Sequence, residues 1–329
     1  MRAAVLEQFG GPDVVKIKQV PKPAPQPDQI LIRIHASTVD IADVRCRALR
    51  VPPGMGLLVR VALGIFRPRK RILGMELAGQ VEAVGDQVTK FKPGDKVFGS
   101  SGFDFGCHAE YRALSEDAPL AAMPEGISYE EAVALGFGAH TALIFFHCGK
   151  LRAGEHILVN GASGAVGVAA VQIAKHHVGA EVTGVCSTRN VELVKSLGAD
   201  HVIDYTRHDF RQGGARYDVV MDNVGNAAYP QIRYLLKPGG RHFMVIAANL
   251  GQMLLGALRK PVVTGEEDGG AKLLNAAMIQ QIANLYRQGK LKPVIDKTFP
   301  FAEIAKAHAY VDTGHKRGSV VVTMEPETA

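Results

Sequence analysis

The chain has 329 residues, 47% of them apolar, a formal net charge of +6 and no tryptophan. That length accommodates two domains with separate cores, and so mild a positive charge fits anionic small ligands at least as well as nucleic acid. The four cysteines, Cys46, Cys107, Cys148 and Cys186, are scattered without C-x-x-C spacing. They argue against a disulfide framework or a zinc knuckle, and for reduced thiols in a cytosolic protein. The N-terminus lacks the apolar core of a signal peptide, and no uninterrupted apolar stretch approaches the roughly 18 residues of a span, so a soluble, cytoplasmic protein is expected.

Residues 1 to about 127 read as short β segments at 3–6, 14–19, 29–36, 77–84, 96–98 and 108–113, with Pro21, Pro23, Pro25 and Pro27 marking an extended loop. From about 128 the pattern alternates. Helical pieces at 129–135 and 141–147 lead to strands at 156–159, 182–186, 201–203, 219–222 and 242–246, with helices at 191–197 and 228–236 between them. Such alternation predicts an α/β fold with a parallel, doubly wound sheet. A helix around 276–287 precedes a tail of β and α pieces that ends in a Val320-Val321-Val322 strand.

The most informative stretch is 156–175, HILVNGASGAVGVAAVQIAK. A strand, a glycine-rich turn and a helix in that order present free backbone N–H groups at a positive helix end, where a pyrophosphate binds. The turn reads A-x-G-x-x-G through Ala162, Gly164 and Gly167. Gly164 admits the phosphates and Gly167 lets the helix pack close. The next strand should end about 20 residues on, at a group that reads the adenosine ribose. There the chain gives Cys186, Ser187, Thr188, Arg189 and Asn190. The acid of an NAD site is missing, while hydroxyls and a guanidinium suit a 2′-phosphate, so NADPH is the expected cofactor.

Several motifs together resemble the medium-chain dehydrogenase/reductase superfamily. They are Gly74-Met75-Glu76-Leu77-Ala78-Gly79, Val84-Gly85, Phe91-Lys92-Pro93-Gly94-Asp95-Lys96-Val97, Ala109-Glu110-Tyr111 and the glycine turn. Ser187, Leu197-Gly198-Ala199-Asp200, Val202-Ile203-Asp204-Tyr205 and Asp222-Asn223-Val224-Gly225 look most like the zinc-independent quinone reductases of the zeta-crystallin type. The resemblance implies a GroES-like β-rich catalytic domain from residues 1–127 and 275–329 and a Rossmann domain from 128–274. It also implies a cleft between them and a homodimer. The cofactor set it implies is Ser163, Gly164, Ala165, Val166, Ser187, Arg189, Tyr205, Asn223, Val224 and Ile246, with Lys316 as a second cation.

Where zinc alcohol dehydrogenases carry their metal ligands, the aligned positions here hold Asp40, Met75 and Phe137. Met75 and Phe137 supply no N, S or O donor of the kind zinc needs, and one carboxylate does not hold it alone. Without a Lewis acid, hydride transfer suits an acceptor that is already electrophilic, a quinone or an α,β-unsaturated carbonyl. Asp40 is the first candidate for the nicotinamide or substrate mouth. Asp43, three residues on, steadies the site, and Thr141 at a helix start is a hydrogen-bonding or capping residue. Arg45 and Arg47 stand where some relatives have a polar Tyr, and no proton donor stands out.

Residues 50–71 form an insertion beside the expected cleft. It is apolar through Met55, Leu57, Leu58, Val61, Leu63, Ile65 and Phe66, and ends in Arg67, Arg69, Lys70 and Arg71. A lid over a lipophilic acceptor, a contact with an anionic membrane surface, and a packed loop or dimer contact all fit this composition. Two classes of function stand: an NADPH-dependent reductase of quinones or enones, and a cofactor-binding redox sensor with little turnover. A metal-free alcohol or aldehyde oxidoreductase is the alternative among enzymes. No nucleic-acid module is recognisable.

Overall fold

A computed structural model describes residues 1–324 apart from 51–53, 55, 66, 248, 250, 253–260, 268 and 269. Two large sheets organise the chain, beside a two-stranded antiparallel sheet of Arg2–Leu6 and Val15–Gln19. The first has seven strands, with Ile295–Pro300 and Ser319–Thr323 from the tail at one end, followed by Gln29–Thr38, Glu76–Val84, Lys96–Ser100 and Leu120–Ala122. Tyr111–Ser115 pairs separately with Gln29–Thr38. The expected strand at 108–113 is therefore shifted to Tyr111–Ser115, because Ala109 makes only an isolated bridge to Ala3.

The second sheet has six strands in the spatial order His201–Asp204, Glu181–Cys186, His156–Asn160, Tyr217–Asp222, Leu236–Met244 and Val262–Val263. Every pair in it is parallel. Relative to the chain this order is 3-2-1-4-5-6, the Rossmann arrangement, whose order reverses between the first and fourth strands and opens a crevice at their carboxyl ends. Ile157, Leu158 and Val159 are all fully buried, as expected of a central strand covered on both faces.

The two helical pieces expected at 129–135 and 141–147 are one helix, Tyr129–Cys148. Ser128 caps it by accepting from the Glu131 backbone N–H, and the Glu131 side chain returns a bond to the Ser128 N–H. Gly136 and Gly138, between the two expected pieces, are packing positions within this helix. A Cβ on Gly136 would lie 2.6 Å from Glu76 Oε2, and one on Gly138 would lie 2.0 Å from the Ala165 carbonyl oxygen. The helix thus touches the first sheet and the glycine-turn helix at once. One hydrophobic cluster joins it to Ala165–Ile173, to Ala276–Arg287, and to Ala36, Ala78 and Phe98 of the first sheet.

Within 50–71, residues Gly56–Leu63 form a helix. Met55, Phe66 and the side chains of Leu57 and Leu58 lie outside the described residues. Leu63 lines a small cavity with Leu6, Phe9, Cys46, Pro68, Leu73 and Phe105, while Val61 and Ile65 remain about half exposed at 47% and 48%. Lys70 pairs with Asp104 and Arg71 with Glu7.

Candidate active site

The dinucleotide end is built from backbone. Gly161, at φ +76°, takes the left-handed turn that leaves the central strand. Ala162 follows it into full burial and donates its N–H to the Val185 carbonyl. The tight-turn glycine therefore stands one residue before the first position of the sequence pattern. Gly167 has no room for a side chain, since its Cβ would be 2.1 Å from the Gly161 carbonyl oxygen. At Gly164, by contrast, the nearest atom to an added Cβ is the Gly161 oxygen at 3.6 Å. That opening faces the start of helix Ala165–Ile173, which has no side-chain cap. A pyrophosphate fits this cradle, with the N–H groups of Ala165 and Val166 as donors and the helix end favouring its charge.

Around the turn the structure gathers most of the expected side chains. Asn190, overlooked in the sequence as a loop polar residue, donates its amide to Ser163 Oγ at 3.0 Å and Ser187 Oγ at 3.2 Å. It locks the phosphate turn to the end of the second strand. Burial pushes the Cys186 thiol up to about 11, so the position where an acid would bind a ribose is uncharged. Arg189 donates to the His315 carbonyl at 2.6 Å. Tyr205 is 54% exposed just after the His201–Asp204 strand. Asp204 next to it is engaged by the Thr188 and Thr206 hydroxyls; that bonding, led by Thr188, holds its carboxyl below the usual range.

The far rim is held by Asp222, whose Oδ1 accepts from Asn160, Val224 N–H and Gly225 N–H and whose Oδ2 accepts from Ala227 N–H. Asn223 donates to the Asn160 carbonyl. Val224 closes over Gly161, whose Cβ would be 2.8 Å from Val224 Cγ2, and Ile246 sits against Gly225 in the same way at 2.9 Å. Val224 is 48% exposed, an apolar wall beside the turn. The strand expected at 242–246 runs Leu236–Met244, so Ile246 lies just beyond its end.

The candidate catalytic residues form a different environment. Asp40 and Asp43 are fully buried. Asp43 accepts the Asp40 N–H through Oδ2 and the Gly74 N–H through Oδ1, both at 2.9 Å. It staples the start of helix Ile41–Ala48 to the Gly74 turn, and burial raises its carboxyl to about 6. Asp40 accepts the Thr38 hydroxyl at 2.7 Å on Oδ2, while Oδ1 is buried without a partner. The expected mouth residue is thus sealed beneath the surface as the N-cap of a helix, with its carboxyl raised by burial. Thr141 is not at a helix start either. It lies within Tyr129–Cys148, and its hydroxyl donates to the Phe137 carbonyl at 2.8 Å, so its proton is committed. Arg47 is fully buried and pairs with Asp312, which makes it part of the scaffold.

Glu76 joins this buried group, accepting from Ser100 at 3.0 Å on Oε1 and leaving Oε2 unpartnered. Burial, reinforced by Asp40, pushes its carboxyl well up. His140 Nδ1 lies 3.9 Å from Glu76 Oε1, and burial lowers that imidazole to about 4. His108, also lowered to about 4 by burial, donates Nε2–H to the Thr38 carbonyl at 2.8 Å. Lys316, half-buried, donates to the Gly318 carbonyl at 2.7 Å. Burial lowers its ammonium, and the charges of Asp40 and Asp296 oppose that.

Residues 26–125 match the alcohol dehydrogenase GroES-like domain family, and 197–322 match the zinc-binding dehydrogenase family. A tomato (Solanum lycopersicum) 2-methylene-furan-3-one reductase is 34% identical over 98% of this chain and 79% of its own length. The human (Homo sapiens) quinone oxidoreductase is 31% identical, with 95% and 94% of the two chains covered. The chain belongs to the medium-chain dehydrogenase/reductase superfamily. The solved quinone oxidoreductase of Coxiella burnetii superposes with a TM-score of 0.85 at 29% identity, covering 99% of each chain. The nicotinamide-dependent oxidoreductase fold of the superfamily therefore extends over the whole molecule.

At the superfamily's metal-ligand positions, Met75 is buried and Phe137 packs in the same hydrophobic cluster. Among the described residues, no group of three His, Cys, Asp or Glu side chains comes together to hold a metal ion. The donor set at Asp40, Met75 and Phe137 offers one carboxylate and two apolar side chains, which do not meet zinc's need for N, S or O ligands.

Proposed function

We propose that this protein is an NADPH-dependent reductase of quinones or α,β-unsaturated carbonyls that works without a metal. The observation carrying the proposal is the pairing of an open dinucleotide cradle at Gly164 with apolar Met75 and Phe137 at the metal-ligand positions. When bound, the reduced nicotinamide supplies the hydride. The chain's residues then bind, orient and exclude water. Such a site favours an acceptor whose own conjugation makes it electrophilic, because no Lewis acid is offered to polarise an isolated carbonyl. The names of the tomato furanone reductase and the human quinone oxidoreductase agree with that acceptor class.

In this reading Ala165 and Val166 N–H groups hold the pyrophosphate, and Ser163 and Asn190 keep the turn in place. Tyr205 flanks the adenosine, and Arg189 with Ser187 meets the 2′-phosphate where Cys186 brings no negative charge. A relative from Arabidopsis thaliana, 33% identical, is named an NADPH-dependent alkenal/one oxidoreductase, which supports the choice of cofactor. Asn223, Val224 and Ile246 form the nicotinamide side of the crevice. Asp43 acts from beneath the site, tying the Gly74 turn to the backbone of Asp40. A homodimer in the cytoplasm completes the proposal. Steady-state oxidation of NADPH and NADH against a panel of quinones, enones and saturated ketones tests it. Turnover with quinones or enones and preference for NADPH is the expected result; tight NADPH binding without turnover on any acceptor would favour a sensor instead.

A further inference from the structure

We infer that the turn carrying Phe103 and the segment from Arg60 to Arg71 together form a docking surface for an anionic lipid bilayer. Phe103 is 77% exposed, more than any other large apolar side chain of the described residues. It stands on a single turn, Gly102–Asp104. Asp104, beside it, pairs with Lys70 at 2.9 Å. Phe105, two residues on, lines one cavity with Leu63, Pro68 and Lys70. The turn is therefore seated on the segment that carries the half-exposed Val61 and Ile65. Three apolar side chains that the core leaves in water thus lie on adjoining segments, away from the dinucleotide crevice.

The charge around them is unbalanced. Lys70 is matched by Asp104, and Lys18 and Arg71 share Glu7. Arg60, Arg67 and Arg69 are exposed, and none has a carboxylate partner among the described residues. Arg60 donates its Nε–H to the Ile65 carbonyl at 3.0 Å, which ties a cation to an apolar tip. Exposed apolar side chains flanked by unpaired cations match an anionic bilayer, whose headgroup boundary takes in the apolar groups while its charges meet the guanidinium groups. A second copy of the chain matches poorly, because an isologous contact here would set Arg67 and Arg69 against the same residues of the other copy. An acidic protein would meet the cations but would have to supply a pocket for Phe103, whereas a bilayer takes it in without one.

Co-sedimentation of the full chain with vesicles tests the assignment, using pure phosphatidylcholine and phosphatidylcholine mixed with phosphatidylserine. Wild type should bind the mixed vesicles and not the neutral ones, and added salt should weaken that binding. Phe103→Ser should lower the partition coefficient roughly 10- to 100-fold, the worth of burying one large apolar side chain. The double substitution Arg67→Gln, Arg69→Gln should lower it about 25-fold, from about fivefold for each cation. All three side chains are exposed, so both variants should keep the wild-type unfolding temperature. No binding to mixed vesicles, equal binding to neutral ones, or binding that either substitution leaves unchanged would overturn the inference. A change of oligomeric state in either variant without vesicles would assign the face to a second copy, and would overturn it too.

Discussion

The dinucleotide crevice and the buried carboxyl group beneath it are built in opposite ways. At the crevice, the proposed recognition rests on backbone N–H groups, a left-handed Gly161 and the uncrowded Cβ direction of Gly164. Beneath it, Asp40, Asp43 and Glu76 are fully buried side chains whose meaning depends on what each touches. A backbone site is written in local sequence order, as strand, glycine turn and helix. A side-chain site is assembled from residues far apart, here 40, 43, 74, 76, 100 and 140, by the pairing of strands and one long helix.

Breaking the backbone side should have the largest effect. Gly164 has φ −78° and ψ 173°, a conformation any residue adopts, and an added Cβ makes only an ordinary van der Waals contact, 3.6 Å from the Gly161 carbonyl oxygen. Gly164→Val should therefore fold with a near-normal unfolding temperature. It should lose NADPH affinity by about a thousandfold, on the order of 4 kcal/mol, because the side chain takes the phosphates' place. Calorimetric titration and a thermal melt on the same sample check both halves.

The buried side is sharpened by pH. His140 is held neutral, lowered to about 4 from an ordinary value of 6.5. An imidazole depressed in the folded state contributes stability that is fully present above pH 6.5 and is lost as pH falls toward 4, because the unfolded chain takes up the proton first. The size is on the order of 3 kcal/mol. Urea unfolding at pH 7 and pH 4.5 should show a smaller acid loss for His140→Leu than for wild type; equal losses would mean that His140 is not shielded.

The smallest effect probes the cation proposed to read the 2′-phosphate at the crevice. Arg189→Ala should weaken NADPH by about one to two decades, the worth of a charge-assisted bond of roughly 1.5–3 kcal/mol, and leave NADH nearly unchanged. Binding curves for both nucleotides on both proteins decide it. Preference that survives the substitution would move the 2′-phosphate contact to another residue.

The same contrast explains what could be read in advance. The fold class, the glycine turn and the strand that ends at Cys186 follow from local periodicity and spacing. Thr141 was expected at a helix start because residues 136–140 fall between the two helical pieces read in the sequence, whereas Gly136 makes room for Glu76 and Gly138 for the Ala165 carbonyl within one helix. Asp40 was expected at the mouth because sequence order shows a residue's neighbours along the chain and not its depth. Asn190 carries the signal of an ordinary loop residue, and only the fold brings its amide to Ser163 and Ser187.

The most direct test of the central claim is the product formed from an enone with NADPH by protein treated with a chelator. Metal-free reduction of a conjugated acceptor predicts the saturated ketone, formed at the same rate with and without chelator. An allylic alcohol as the product, or activity lost with the chelator and restored by zinc, would contradict the account.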